Sequence, residues 1–205
     1  MAADLPPNSL LYLPVLIQKQ KELWPNAPYP STLAAQIDKE TCPSPKHKSC
    51  WNPRAELKTS REYGFGLGQI TITNQFNNFS YAKSLTVNLR NWDYADRYNA
   101  AMQIEALVVW NKVMFDRVKG AKTVFGQLAM SKAAYNGGEG GLNSDRRVCL
   151  ATPGCDQTIW FGHVERTSLK AKLPKAGYGE SFFQINRRYV KEIMYDRRAK
   201  YERYF

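Results

Sequence analysis

With 205 residues, 43% of them apolar and 13% aromatic, and with no low-complexity tract or internal repeat, the chain can bury a substantial core, which excludes a disordered, fibrous or repeat protein. Against 18 aspartates and glutamates stand 29 lysines and arginines, a formal charge of +11 that fits an anionic partner without choosing among nucleic acid, a bacterial envelope and plain solubility. The sequence contains no run of 18 apolar residues, so it offers no candidate membrane-spanning helix.

The first element is the apolar run Leu10 to Ile17. It lacks a basic flank before it and a small-residue cleavage site after it, so it reads as the start of an amphipathic helix reaching Trp24 and not as a signal peptide. Beyond the proline-rich Pro25 to Pro30, the stretch Ser31 to Thr41 has helical periodicity with Ser31 as its cap. Glu40 follows Leu33 by seven positions and Ile37 by three. Helical spacing therefore puts its carboxyl on their apolar face, while Asp38 and Lys39 face elsewhere. Proline, lysine and serine between Pro43 and Tyr63 indicate an irregular loop. Next, Gly64-Phe-Gly-Leu-Gly-Gln69 followed by Ile70-Thr-Ile-Thr73 indicates a tight turn feeding a short strand or extended segment.

From about Tyr94 to Val118, with a stop at Gly120, the pattern is a long helix that is apolar on more than one face and therefore a buried central one. Val124, Leu128, Ser131 and Tyr135 form the inward stripe of a further helix, which Asn136-Gly137-Gly138 ends. Residues 142 to 156 resemble a disulfide-pinned loop, with Glu139 solvated just before it, and helices resume near 157 to 170 and 180 to 202. The basic, aromatic C-terminus, about 180 to 205, has the pattern of a last helix with a solvated basic face. The fold class is mainly α, an α+β arrangement with a small extended segment, in a single domain of residues 1 to 205.

Four cysteines fall into two close pairs, Cys42 with Cys50 and Cys149 with Cys155. Three connectivities are formally possible, and local pairing is the economical one. Zinc is the competing reading, but the spacings are not C-x-x-C, and His47 and His163 lie far from a ligand pattern. We expect no metal and no cofactor. Oxidised pairs imply work outside a reducing cytosol. Nucleic acid is not the expected partner, because neither a zinc-ligand spacing nor an RNA-binding aromatic signature accompanies the charge.

A carboxyl on a core-facing stripe is partly desolvated, which raises its pKa and suits Glu40 to general-acid work. The glycines of residues 64 to 69 let backbone approach a ligand. Gln69 offers one amide carrying donor and acceptor, which suits an N-acetyl group or a sugar hydroxyl.

Three pieces in order, Glu40-Thr41, Gly66-Leu-Gly-Gln69 and Ala134-Tyr-Asn-Gly-Gly138, resemble the soluble lytic transglycosylases and their goose-type lysozyme relatives. That family's pattern is a catalytic Glu followed by Ser or Thr, then Gly-Leu-Met-Gln, then Ala-Tyr-Asn-Ala-Gly. The match covers roughly residues 31 to 142, with a weaker echo of a closing Tyr-Val in Tyr189-Val190. Gly68 stands where the family has Met, Gly137 where it has Ala, and Ile185 where it often has a Glu.

The resemblance implies a lysozyme-like fold that cleaves the β-1,4 bond between N-acetylmuramic acid and N-acetylglucosamine in peptidoglycan glycan strands. Glu40 would be the single acid and then base, closing the sugar's own C6 hydroxyl onto C1 to give a 1,6-anhydro product. Thr41, Gly66, Leu67, Gln69, Tyr135 and Asn136 would bind substrate. The rival is inverting hydrolysis, which needs a second carboxylate. Goose-type enzymes carry an acid soon after the Gln where this chain has Thr71, which leaves Glu62 as the candidate base. A catalytically silent wall-binding virion protein is a third possibility. The expected setting is a monomeric bacteriophage endolysin or virion-borne lysin. It would be made in the host cytoplasm without a signal peptide and act on the wall, with the basic C-terminus touching the anionic outer envelope.

Overall fold

The computed structural model describes residues 5–170, 172–174 and 179–205, which form eight α-helices and one small antiparallel sheet, an α+β fold that is mainly helical. Among the described residues no helix is long and apolar enough to cross a membrane. The chain falls into two compact units, one running up to Trp110 and taken up again at Tyr195–Phe205, the other Asn111–Met194.

In the first unit, α1 (Ser9–Leu23) buries Leu13 and Leu16 and ends at Trp24. Helix α2 (Ser31–Thr41) follows. Its N-cap position is Pro30, not Ser31; Ser31 is already helical and makes no side-chain cap. The opening is held instead by Tyr29, whose carbonyl accepts from the Thr32 hydroxyl at 2.8 Å. Every residue from Ser31 to Asp38 is buried, so α2 has no solvated face over that length, and Asp38, expected to face elsewhere, is 1% exposed.

The expected irregular loop after Pro43 contains strand β1 (Glu56–Lys58). It pairs antiparallel with β2 (Glu62–Phe65), which in turn pairs with β3 (Ile70–Thr73), setting Phe65 opposite both Glu56 and Ile70. Phe65 and Ile70 pack on Phe79, Ala82, Leu89, Trp92 and Ala106. Phe79 and Ala82 lie in α3 (Asn78–Lys83) and Leu89 in α4 (Val87–Arg90).

Helix α5 (Ala100–Arg117) begins six residues later than the periodicity suggests. Tyr94–Asp96 forms a separate 3-10 turn capped by the Asp93 side chain, and Asn99 then opens α5 by accepting from the N–H groups of Ala101 and Met102. Ile104, Leu107 and Val108 are buried, as expected of a helix apolar on more than one face.

In the second unit, α6 (Val124–Gly137) is capped by Thr123 and stops at Gly138, whose φ of 78° suits a residue without a Cβ. Leu128 and Ser131 are buried and Tyr135 is half-buried, but Val124 in the first turn is exposed. Residues expected as a loop form α7 (Glu139–Leu150), and only the turn after it is closed by the Cys149–Cys155 disulfide. Glu139 is its first residue and pairs with Arg117 at 2.8 Å.

Between 157 and 170 there is no α-helix, only turns and a 3-10 turn at Val164–Arg166. These turns are organised by Asp145, which is 1% exposed. Its carboxylate accepts from Ser168 Oγ at 2.7 Å, Lys170 Nζ at 2.6 Å and Arg187 Nη2 at 2.8 Å. Helix α8 (Phe182–Lys191) starts at a Ser181 and Gln184 capping box and packs against α6. Beyond it the chain winds on as a π turn, Glu192–Arg197, and then as 3-10 turns instead of a continuous helix to 202.

Candidate active site

Glu40 sits in the last turn of α2 and is half-buried. The turn around it is fixed from three sides. Thr41, buried, donates from Oγ1 to the Ile37 carbonyl at 2.6 Å and accepts the Trp51 N–H at 2.9 Å. The Cys42–Cys50 disulfide closes the loop that leaves the helix. From the C-terminal segment, Arg197 Nη1 donates to the carbonyls of Asp38 at 3.0 Å and Cys42 at 3.4 Å. Together with the Cys42 N–H, which donates to the Asp38 carbonyl at 2.9 Å, these partners hold the end of α2.

The Gly66-Leu-Gly-Gln69 motif is the β2–β3 turn. Gly66 takes φ 79° and Gln69 φ 45°, and the motif is buried except at half-buried Gln69. Ala55 ties this turn to the segment leaving α2. Its carbonyl accepts the Gly66 N–H at 2.8 Å and Gln69 Nε2 at 3.2 Å, while four residues earlier Trp51 is bonded to Thr41. Glu40-Thr41 and the glycine turn are thus joined through one short stretch, residues 51 to 55.

Gln69 also contributes its side chain to the turn. Its amide nitrogen is spent on the Ala55 and Gly66 carbonyls, the latter at 3.0 Å, so as a donor it shapes the turn. Leu67 is fully buried, and its N–H donates to Gln103 Oε1 at 2.9 Å. Leu67 therefore offers its backbone to the turn and its side chain to the core.

Gln103 is a residue the sequence analysis missed. From α5 it accepts from Leu67 and donates through Nε2 to the carbonyls of Pro53 at 2.9 Å and Arg97 at 2.8 Å. A single glutamine inside a long helix carries no local signal of this. Only its polarity at a position that is otherwise apolar, next to buried Ile104, sets it apart.

Glu62, the expected second carboxylate, is half-buried on β2, opposite Thr73. On β1, opposite Phe65 at the other end of β2, Glu56 accepts from the phenols of both Tyr63 and Tyr98. These two hydrogen bonds hold the exposed Glu56 carboxyl below its ordinary range, and the Arg97 charge adds to them. Arg97 itself stacks over Tyr98 at 4.3 Å and Tyr94 at 4.7 Å.

Asp38, Cys42 and Cys50 bring potential ligand atoms within 4.8 Å of one another, but both sulfurs are joined in a disulfide and offer no thiolate. Both local disulfides form, as the close cysteine pairs suggest.

The second unit carries Tyr135 and Asn136 on the last turn of α6. Tyr135 is half-buried. Asn136 is exposed and its Oδ1 accepts from Asn186 Nδ2 at 2.9 Å, which also donates to the Ala133 carbonyl at 3.0 Å. Asn186 thus orients the Asn136 side chain, and Arg187, bonded to Asn186 Oδ1 at 2.6 Å, links it to the buried Asp145. Tyr189 and Val190 are buried on the same helix. Lys132, one turn before Asn136 and fully buried, donates to Asn111 Oδ1 at 2.6 Å.

Much of the basic C-terminus is engaged in ion pairs. Arg188 pairs with Glu180 and Glu192, Arg198 with Glu202, and Arg197 and Lys200 with Asp38. No protein-family model matches the chain, and a comparison with curated proteins returns no relative.

Proposed function

We propose that this chain is a peptidoglycan-degrading enzyme of lysozyme-like fold that cleaves the β-1,4 bond between N-acetylmuramic acid and N-acetylglucosamine by lytic transglycosylation. Glu40 is the one acid and base of the reaction. The observation that carries the reading is the placement of Glu40. It is a half-buried carboxylate at the end of a helix that is buried from Ser31 to Asp38, and that end is tied through residues 51 to 55 to a positive-φ glycine turn.

As general acid, Glu40 donates its proton to the leaving glycosidic oxygen. Once ionised it can take the proton of the sugar's C6 hydroxyl, which then bonds to C1. That nucleophile is already attached to the substrate, so little orientational entropy is lost and no second carboxylate is required. Tyr135 and Asn136 are the further substrate-binding residues of this reading, and the Asn186 hydrogen bond gives Asn136 a fixed orientation for it. Gly66 and Leu67 shape the turn that carries Gln69.

Two disulfides fit an enzyme that works in an oxidising envelope compartment, in keeping with host-wall lysis by a phage. Inverting hydrolysis is the second reading. It is favoured by two carboxylates on adjacent strands, Glu62 and the ionised Glu56, either of which could activate water.

Mass spectrometry of wall digests decides between them. Release of 1,6-anhydro muropeptides by the wild type and none by Glu40→Gln is the expected result. Reducing muramic ends would replace transglycosylation by hydrolysis. Wall binding without any release would leave a non-catalytic wall-binding protein.

A further inference from the structure

Residue 40 lies in the last turn of α2, and last turns fray because their carbonyls lack intrahelical partners. A general acid there would wander unless something outside the helix held it. The C-terminal segment provides that hold. One guanidinium nitrogen, Arg197 Nη1, donates to the carbonyls of Asp38 and Cys42, which bracket Glu40 by two residues on each side. The same nitrogen lies 3.5 Å from Asp38 Oδ1, and Lys200 pairs with Oδ2. The Tyr201 phenol accepts the Trp51 indole N–H at 3.0 Å, and the Trp51 backbone N–H donates to Thr41; burial and then the Asp38 charge push the Tyr201 pKa well up.

We propose that Arg197 and Lys200, with Tyr201, are positioning residues for Glu40: the C-terminal segment is a clamp that fixes the backbone of residues 38 to 42 and so the placement of the acid. This rests on the reading of Glu40 as the catalytic acid. Stability alone does not account for the arrangement, since a buried ion pair is commonly no more stabilising than apolar residues of the same volume. What Arg197 adds is geometry, because it spans the turn that holds residue 40. A displacement of about 1 Å at a reacting group can cost on the order of 100-fold in rate.

The test uses the full chain, with purified sacculi as substrate, at a temperature where every variant is folded by circular dichroism. Arg197→Gln is expected to lower kcat by about tenfold or more and leave the apparent KM within about twofold. Lys200→Met should lower kcat by a smaller factor, and Lys200→Arg, which keeps the charge on Asp38, should restore it. Unchanged kcat per folded molecule in Arg197→Gln, or a raised KM with unchanged kcat, overturns the proposal.

Amide hydrogen exchange provides a readout that does not need activity. In Arg197→Gln the protection of Thr41 and Cys42 should fall about tenfold or more while that of Ile104 in α5 holds. Equal protection in variant and wild type overturns the clamp, even if the wild type releases no muropeptides and the reading of Glu40 as an acid fails by itself.

Discussion

The indole nitrogen of Trp51 donates to the phenol oxygen of Tyr201 at 3.0 Å, joining residues 150 positions apart in the chain, and both side chains are fully buried. Their rings lie 5.7 Å apart at 45°. The end of the chain is therefore part of the core beneath α2 and the segment that follows it. Tyr201→Ala removes a large buried ring and should cost about 3–5 kcal/mol. Tyr201→Phe keeps the ring but strands the buried Trp51 indole N–H, a cost of about 1–3 kcal/mol. Urea denaturation should rank wild type above Phe above Ala. A Phe variant as stable as the wild type would refute the hydrogen-bonded pairing.

A second expectation concerns pH. Glu105, buried on α5, accepts from Thr86 Oγ1 at 2.7 Å, Asn88 Nδ2 at 2.8 Å and Lys19 Nζ at 3.1 Å. Burial alone would push this carboxyl up, but the three donors outweigh it and hold it below its ordinary value. The hydrogen bond to Glu105 raises Lys19 in turn, against the opposing effect of burial. Because the folded Glu105 binds its proton less tightly than the unfolded chain does, its stabilisation is complete above the ordinary carboxylate range and is lost as pH falls through the depressed folded value. Lys19 has the opposite sign. Its share is complete below the ordinary lysine range, near pH 10, and disappears as pH rises through the elevated folded value. Between pH 6 and pH 3 the wild type should lose more stability than Glu105→Gln, by at most about 2 kcal/mol. Parallel losses in the two proteins, measured by urea unfolding at each pH, would contradict this.

Gly66 should tolerate no side chain. At φ 79° an L residue is strained, and a Cβ there would lie 2.5 Å from the Gln103 carboxamide, the group that anchors Leu67, Pro53 and Arg97. Gly66→Ala combines backbone strain with displacement of that amide, for about 2–4 kcal/mol. Gly140, inside α7 with open space around its Cβ position, is the control, and Gly140→Ala should be neutral or slightly stabilising. Chemical denaturation of both variants checks the contrast. Equal stabilities would show that the turn does not depend on Gly66.

Local order was legible wherever it rested on local chemistry. The period of α2, the glycine turn before Ile70, and the stop at Gly138 all follow from neighbours within a few residues. Asp38 was not legible. A helical wheel marks one buried stripe and puts the opposite face in water, which holds for a helix with one neighbour. Helix α2 has α1 on one side and the C-terminal turns on another, so the face carrying Asp38 is covered as well. The mistaken loop at 142 to 156 has a related cause. Glycines and charged residues weaken helix propensity, yet α7 forms because packing on α6 and the buried Asp145 network outweigh that preference.

Sequence alone determined the residue types and their phase: an acid on the stripe of Leu33 and Ile37, glycines where backbone must turn, and cysteines close enough to pair locally. Tertiary structure decided what those residues meet. Gln103 beneath the glycine turn, Ala55 as the tie to α2, and Arg197 and Lys200 on Asp38 all lie tens of residues or more from their partners. Such contacts leave no periodic trace in the chain, because hydrogen bonds and ion pairs between distant segments are set by which surfaces the folded backbone brings together.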